Sequence, residues 1–135
     1  MKSLWNDKEA KSLAKDPLAL RVYTSRLLGR DSSLVMHGGG NTSVKATVRD
    51  FFGIEQEVLY IKGSGWDLAT IEAQGFAAVK MDALLRMAAI KDLTDTDMVR
   101  QQRAAIDNNR IGRDKNRIMA LVLGEIRNIP LLLFP

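Results

Sequence analysis

Cysteine is absent from this 135-residue chain, and histidine occurs once, at His37. The first absence excludes disulfides and thiolate metal sites, and nothing in it argues for secretion. The two together exclude a metal centre built from several imidazoles or thiolates, the usual donors of a catalytic zinc. A carboxylate-only magnesium or calcium site is not indicated either, because no cluster of Asp and Glu has ligand spacing. Apolar runs are short, and none approaches the ~20 residues of a membrane span. Residues 1–10 carry Lys2, Asp7, Lys8 and Glu9 without an apolar stretch, so they do not read as a signal peptide. The expected location is cytoplasmic, with no membrane contact.

At 46% hydrophobic and 27% charged, the composition is that of a globular domain, or a piece of one, able to bury a core. The net charge of +4 is unevenly placed. Residues 1–97 balance 13 cations against 13 carboxylates, whereas residues 98–135 hold seven Lys and Arg against three Asp and Glu. A basic segment can signal nucleic-acid contact. Here no aromatic residues are interleaved and no binding motif accompanies it, so it reads as a solvated helix face and nucleic acid is not an expected partner.

Several elements can be read from periodicity. Residues 17–28 form an expected helix with Leu20, Tyr23, Leu27 and Leu28 on one stripe, Pro17 in the first turn and Gly29 just past the end. Residues 33–36 are a candidate strand. Residues 42–48 alternate, with Val44, Ala46 and Val48 on one side, and residues 57–62, EVLYIK, are rich in β-formers. Gly53 marks a hairpin turn between these two. Residues 70–90 carry helical signals with Phe76, Val79, Leu84, Leu85 and Met87 toward a core. Thr94 and Asp97 suggest a capping box for a helix over 95–105. A further helix is expected over 110–127, before an apolar end at 129–135.

Two glycine loops carry the chemical signal. HGGGNTSVK, residues 37–45, places three glycines, an amide and two hydroxyls between two expected strands. Such glycines mark backbone with φ > 0 or a close approach, and the N–H groups of such a turn form a concavity suited to an anion. KGSGWDL, residues 62–68, repeats the logic with two glycines, a hydroxyl and Lys62 at a strand end. If the strands are neighbours, both loops project from one edge and can surround one phosphate. Neither is a nucleotide fingerprint: Leu68 stands where G-x-G-x-x-G needs its third glycine, and no P-loop pattern occurs. His37 is expected to take a loop hydrogen-bonding role rather than to bind a metal.

On these residues, the runs LRVYTSRLLGRDSSLVMHGGGNTSVKATVRDFFG and VLYIKGSGWDLATIEAQGFAAVKMDALLRM resemble the N-terminal part of the class II aldolase/adducin family. They are similar in particular to the aldolase half of bifunctional rhamnulose-1-phosphate aldolase/short-chain alcohol dehydrogenase proteins. The resemblance covers about residues 15–107. It implies an α/β fold: a partial class II aldolase-like α/β/α sandwich with a largely antiparallel sheet, incomplete at its C-terminal end. It also implies a phosphate site at Gly40, Asn41, Thr42, Ser43, Ser64 and Gly65, flanked by Lys62 and Trp66 without an assigned role. The family's reaction is zinc-assisted cleavage of a ketose phosphate to dihydroxyacetone phosphate and an aldehyde, with a glutamate moving the proton.

Family features beyond the loops are missing. No Pro-Ser-x-Glu follows Arg103, and the three zinc-binding histidines have no counterpart. The expectation is therefore an aldolase-derived piece, residues 1–107, followed by a divergent basic then apolar tail, residues 108–135, from truncation or frameshift near 107–112. Such a chain would bind a sugar phosphate resembling rhamnulose 1-phosphate, contain no catalytic residue, metal or cofactor of its own, and be inactive alone. It would associate as a homo-oligomer or through exposed edges. The alternative expectation is a non-catalytic, adducin-like binding or assembly module.

Overall fold

The computed structural model describes residues 3–106. The helix expected over 110–127, the apolar end at 129–135 and the segment from 108 onward lie outside them. Within the described residues the order is α1 (Asp7–Leu13), α2 (Pro17–Gly29), β1 (Ser43–Arg49), β2 (Glu55–Lys62), a single 3-10 turn (Ala73–Gly75), β3 (Phe76–Lys80), α3 (Met81–Ala88) and α4 (Asp95–Ala105). The strands form one antiparallel sheet in the order β1-β2-β3. Ile106 adds an isolated antiparallel bridge to Val79, on the edge of β3 away from β2.

The sheet is covered on both faces, which makes an α/β/α sandwich. Side chains alternate across a strand, so Val58 and Tyr60 of β2 share one face with Phe76 and Ala78 of β3. Leu18 and Val22 of α2 pack against this face, together with Val44, Ala46 and Val48 of β1. Leu59, Ile61, Ala77 and Val79 take the opposite face under Leu84 and Met87 of α3 and Ala105 of α4. This two-sided burial explains why β2 reads as an unbroken apolar run rather than an alternation. No helix among the described residues is long and apolar enough to cross a membrane.

Local chemistry sets the element ends. Asp16 caps α2, its Oδ1 accepting from the N–H groups of Leu18 at 2.9 Å and Ala19 at 3.1 Å. Thr94 and Asp97 form the expected reciprocal cap of α4: the Asp97 N–H donates to Thr94 Oγ1 at 3.1 Å, and the Thr94 hydroxyl donates to Asp97 Oδ2 at 2.8 Å. The β1–β2 turn is closed by Asp50, whose Oδ1 accepts from the N–H groups of Phe52 and Ile54, both at 2.9 Å. Gly53 in that turn takes φ +79°.

Four expectations are corrected. Residues 33–36 are not a strand. Asp31 Oδ1 accepts from the Ser33 N–H at 3.0 Å, and the Asp31 carbonyl accepts from Leu34 at 3.0 Å and Val35 at 3.2 Å, so a turn outcompetes extension. Residues 76–80 are a strand, because pairing with β2 overrides the helical pattern, and Leu85 of α3 is exposed. On α2 the expected Tyr23 is buried, but Leu28 is exposed, Leu18, Val22 and Ser25 turn toward the sheet and the first loop, and the helix includes Gly29. A short helix, α1, was not expected. Asn6 caps it by accepting from Lys8 at 3.0 Å, and Tyr23 Oη accepts from the Asn6 N–H at 2.8 Å.

Gly29 is where α2 touches the chain after the second glycine loop: a Cβ there would lie 2.2 Å from the Ala69 nitrogen. Gly29→Ala should therefore cost about 2–3 kcal/mol by overpacking against backbone that cannot yield. Thr94→Ala should cost about 1 kcal/mol through loss of the cap. Chemical denaturation of the two variants would check this ordering, which reverses if the α2 contact is loose.

Candidate functional site

The antiparallel register decides where the glycine loops lie. Ser43, the first residue of β1, pairs with Ile61 near the end of β2, and the Lys62 N–H donates to the Thr42 carbonyl at 3.0 Å. The chain entering β1 and the chain leaving β2 therefore share one end of the sheet. Gly63 N–H donates to the Gly75 carbonyl at 2.7 Å, which brings the approach to β3 to the same end. The expectation that both loops project from one edge holds.

Each loop uses glycine where the backbone turns left-handed. Gly38 and Gly40 take φ of +73° and +75°, and Gly65 takes +81°. At Gly40 conformation and space coincide, since a Cβ there would lie 2.7 Å from Leu68 Cδ1 and 3.1 Å from Val35 Cγ1. The residue after the second loop thus buttresses the first. Gly75 is similarly closed by Trp66, whose ring would meet a Cβ at 2.9 Å. Trp66 packs against the α2-side core, which gives it a structural place at the site's edge.

The six sequence-derived residues come together but are not equivalent. Gly40, Asn41 and Gly65 are exposed at the mouth, and Ser43 and Ser64 are half-buried. Thr42 is only 8% exposed, and its Oγ1 lies 2.8 Å from Ser25 Oγ. Ser25, fully buried on α2, spends its single proton on the Arg21 carbonyl at 2.7 Å. Thr42 must then be the donor to Ser25. Its side chain ties the first loop to α2, which leaves its backbone rather than its hydroxyl facing the loops.

Three residues add what the motif alone does not reveal. Lys62 is only 2% exposed, and its Nζ has a long contact of 3.5 Å with the Gly63 carbonyl. Burial pushes its pKa below the usual lysine value, while the negative charge of Asp67 pulls the other way. Asp67, in the second loop, accepts the Ala69 N–H at 2.8 Å. It also meets His37 Nδ1 from the first loop. His37 therefore bonds across the loops rather than within its own, and the rest of its side chain is 94% exposed. A glycine loop with a basic strand end was visible in the sequence; the burial of Lys62, the cross-loop partner of His37 and the anchor at Ser25 carry no local signal.

These residues do not fit a zinc ion. His37 and Asp67 are two donors already engaged with each other, short of the three protein ligands of a catalytic site. Among the described residues no group of three His, Cys, Asp or Glu is placed to hold a metal.

Comparison with known proteins agrees with the sandwich and its loops. The chain is 41% identical over 99 residues to "Uncharacterized oxidoreductase YuxG" of Bacillus subtilis (strain 168), a match that covers 73% of this chain and 14% of that protein. It also superposes, with a TM-score of 0.70 and 36% identity, on the N-terminal class II aldolase domain of a conserved protein from Thermoplasma acidophilum. That match covers 85% of this chain and 52% of the other. The chain thus spans about a seventh of one relative and half of the other. Residues 19–104, which contain most of α2, all three strands and both glycine loops, match the class II aldolase and adducin N-terminal domain, and the chain belongs to that family.

Proposed function

We propose that the two glycine loops bind the phosphate of a ketose phosphate resembling rhamnulose 1-phosphate. In this reading the backbone N–H groups from Gly40 to Ser43 and at Ser64 and Gly65, with the side chains of Asn41, Ser43 and Ser64, receive the phosphate oxygens. Lys62 supplies the positive charge. The observation that carries the reading is this buried ammonium at the base of both loops. A buried cation with one long carbonyl contact, its burial only partly offset by the negative charge of Asp67, is costly unless a further anion joins it. A phosphate dianion held by positive-φ glycine backbone is the matching partner.

The chain alone is proposed to bind rather than cleave. Retro-aldol cleavage develops negative charge on the ketose oxygen, and a metal ion is the family's means of stabilising it. One histidine in the whole sequence does not build that site. Longer relatives carry further sequence, and any activity of a larger protein containing this segment would draw on residues outside it.

Inorganic phosphate should raise the melting temperature of the wild-type chain, because a ligand of the native state stabilises by mass action. Lys62→Met should abolish that rise while leaving the ligand-free protein as stable or more so, since an apolar side chain replaces a buried charge. The burial penalty is present while Lys62 is protonated in the fold and disappears as pH approaches the ordinary lysine value of 10.5. The stability gain of Lys62→Met should therefore be largest near neutrality and shrink with rising pH. Equal phosphate response in both proteins would remove Lys62 from the site.

The glycines give a second check. Gly38→Ala meets open space and should cost only about 1–2 kcal/mol for its left-handed backbone. Gly40→Ala adds a clash with Leu68 and should lose both more stability and phosphate binding. Equal melting curves for the two would contradict the buttressed geometry. Incubation with zinc and rhamnulose 1-phosphate should yield no dihydroxyacetone phosphate; turnover by the purified chain would refute the binding-only reading.

A further inference from the structure

Asp67 lies outside the residues that the glycine motifs single out, yet two contacts and one charge interaction converge on it. Its carboxylate meets His37 Nδ1 of the first loop. The same oxygen pair accepts the Ala69 N–H at 2.8 Å, which fixes the turn that carries Leu68 against Gly40. Its negative charge also acts on the buried ammonium of Lys62, favouring the protonated form. On the neighbouring strands, Thr42 accepts the Lys62 N–H from the β1 side and Phe76 is its partner on β3. Thr42 itself is held by the hydroxyl of Ser25 on α2.

We propose that Asp67 is the positioning residue of the phosphate cradle: it clasps the two glycine loops together through His37 and brings a negative charge to the end of the sheet that holds Lys62. This rests on the phosphate-binding reading. The two roles separate by substitution. Asp67→Asn keeps a carbonyl oxygen for the Ala69 N–H, turns an amide NH2 toward His37 Nδ1 in place of the second carboxylate oxygen, and deletes the charge. His37→Gln keeps the charge but removes the imidazole that bridges the loops.

The sign of the charge effect follows from electrostatics. Asp67 favours protonated Lys62, so its loss lets Lys62 deprotonate at lower pH. Binding of an anion that needs the cation then fails earlier as pH rises.

The test is isothermal titration of the full chain with inorganic phosphate across neutral to alkaline pH, for wild type, Asp67→Asn and His37→Gln, with melting temperatures measured alongside. Asp67→Asn is expected to lose phosphate binding at a lower pH than wild type, because Lys62 gives up its proton earlier. His37→Gln is expected to bind more weakly without moving that alkaline limb. A purely structural Asp67 would lower melting temperature and affinity together and leave the limb in place, which overturns the proposal. Wild-type binding with an unchanged Asp67→Asn profile overturns it as well. Absence of phosphate binding in the wild type overturns the phosphate site itself and this assignment with it.

Discussion

The backbone hydrogen bond from Lys62 to Thr42 is the contact on which the rest of this molecule depends. It closes the β1–β2 ladder at the end where both glycine loops emerge. A slip of one residue would turn every side chain of β1 to the other face. Val44, Ala46 and Val48 would leave the α2-side core, and Thr42 would lose its bond to Ser25. The register is therefore held by burial along the strand and by a hydroxyl pair at its start. Those same constraints bring Gly40, Ser43, Ser64 and Lys62 to one place.

The loops themselves are supported rather than free-standing. Leu68 fills the space beside Gly40, Trp66 closes over Gly75, and Ala69 presses on Gly29 of α2. One segment, residues 66–69, thus braces the first loop, the approach to β3 and a helix. Asp67 sits in the middle of that segment and adds the cross-loop contact to His37. The absence of side chains at three glycines and the presence of bulky ones at Trp66 and Leu68 are two sides of one packing arrangement. A cradle of this sort offers fixed donors, so a bound anion need not pay to organise them.

What the sequence discloses and what it hides divide along a physical line. The EVLYIK strand, the Thr94–Asp97 cap and the positive-φ glycines depend on neighbours in the chain, and all three were legible. So was the family, because both loops are contiguous motifs at a characteristic separation. The strand at residues 76–80 was not, since FAAVK has no alternation of its own and becomes a strand by pairing with β2 under α3. The turn at 33–36 was missed because a single aspartate, Asp31, redirects an otherwise apolar run. Lys62 looked like a flanking cation, and only the tertiary fold reveals it as buried. The partners of His37 and Thr42 lie 30 and 17 positions away, beyond any local pattern.

The central claim is that one anion is shared by two loops at the same end of the sheet. The most direct measurement is a phosphate titration of the isotopically labelled chain followed by backbone amide NMR. The account predicts saturable shifts at Gly40–Ser43 and at Gly63–Gly65 with a common dissociation constant, and little change at the Asp50–Ile54 turn at the far end of the sheet. Shifts confined to one loop, spread over the surface or unsaturable would contradict it.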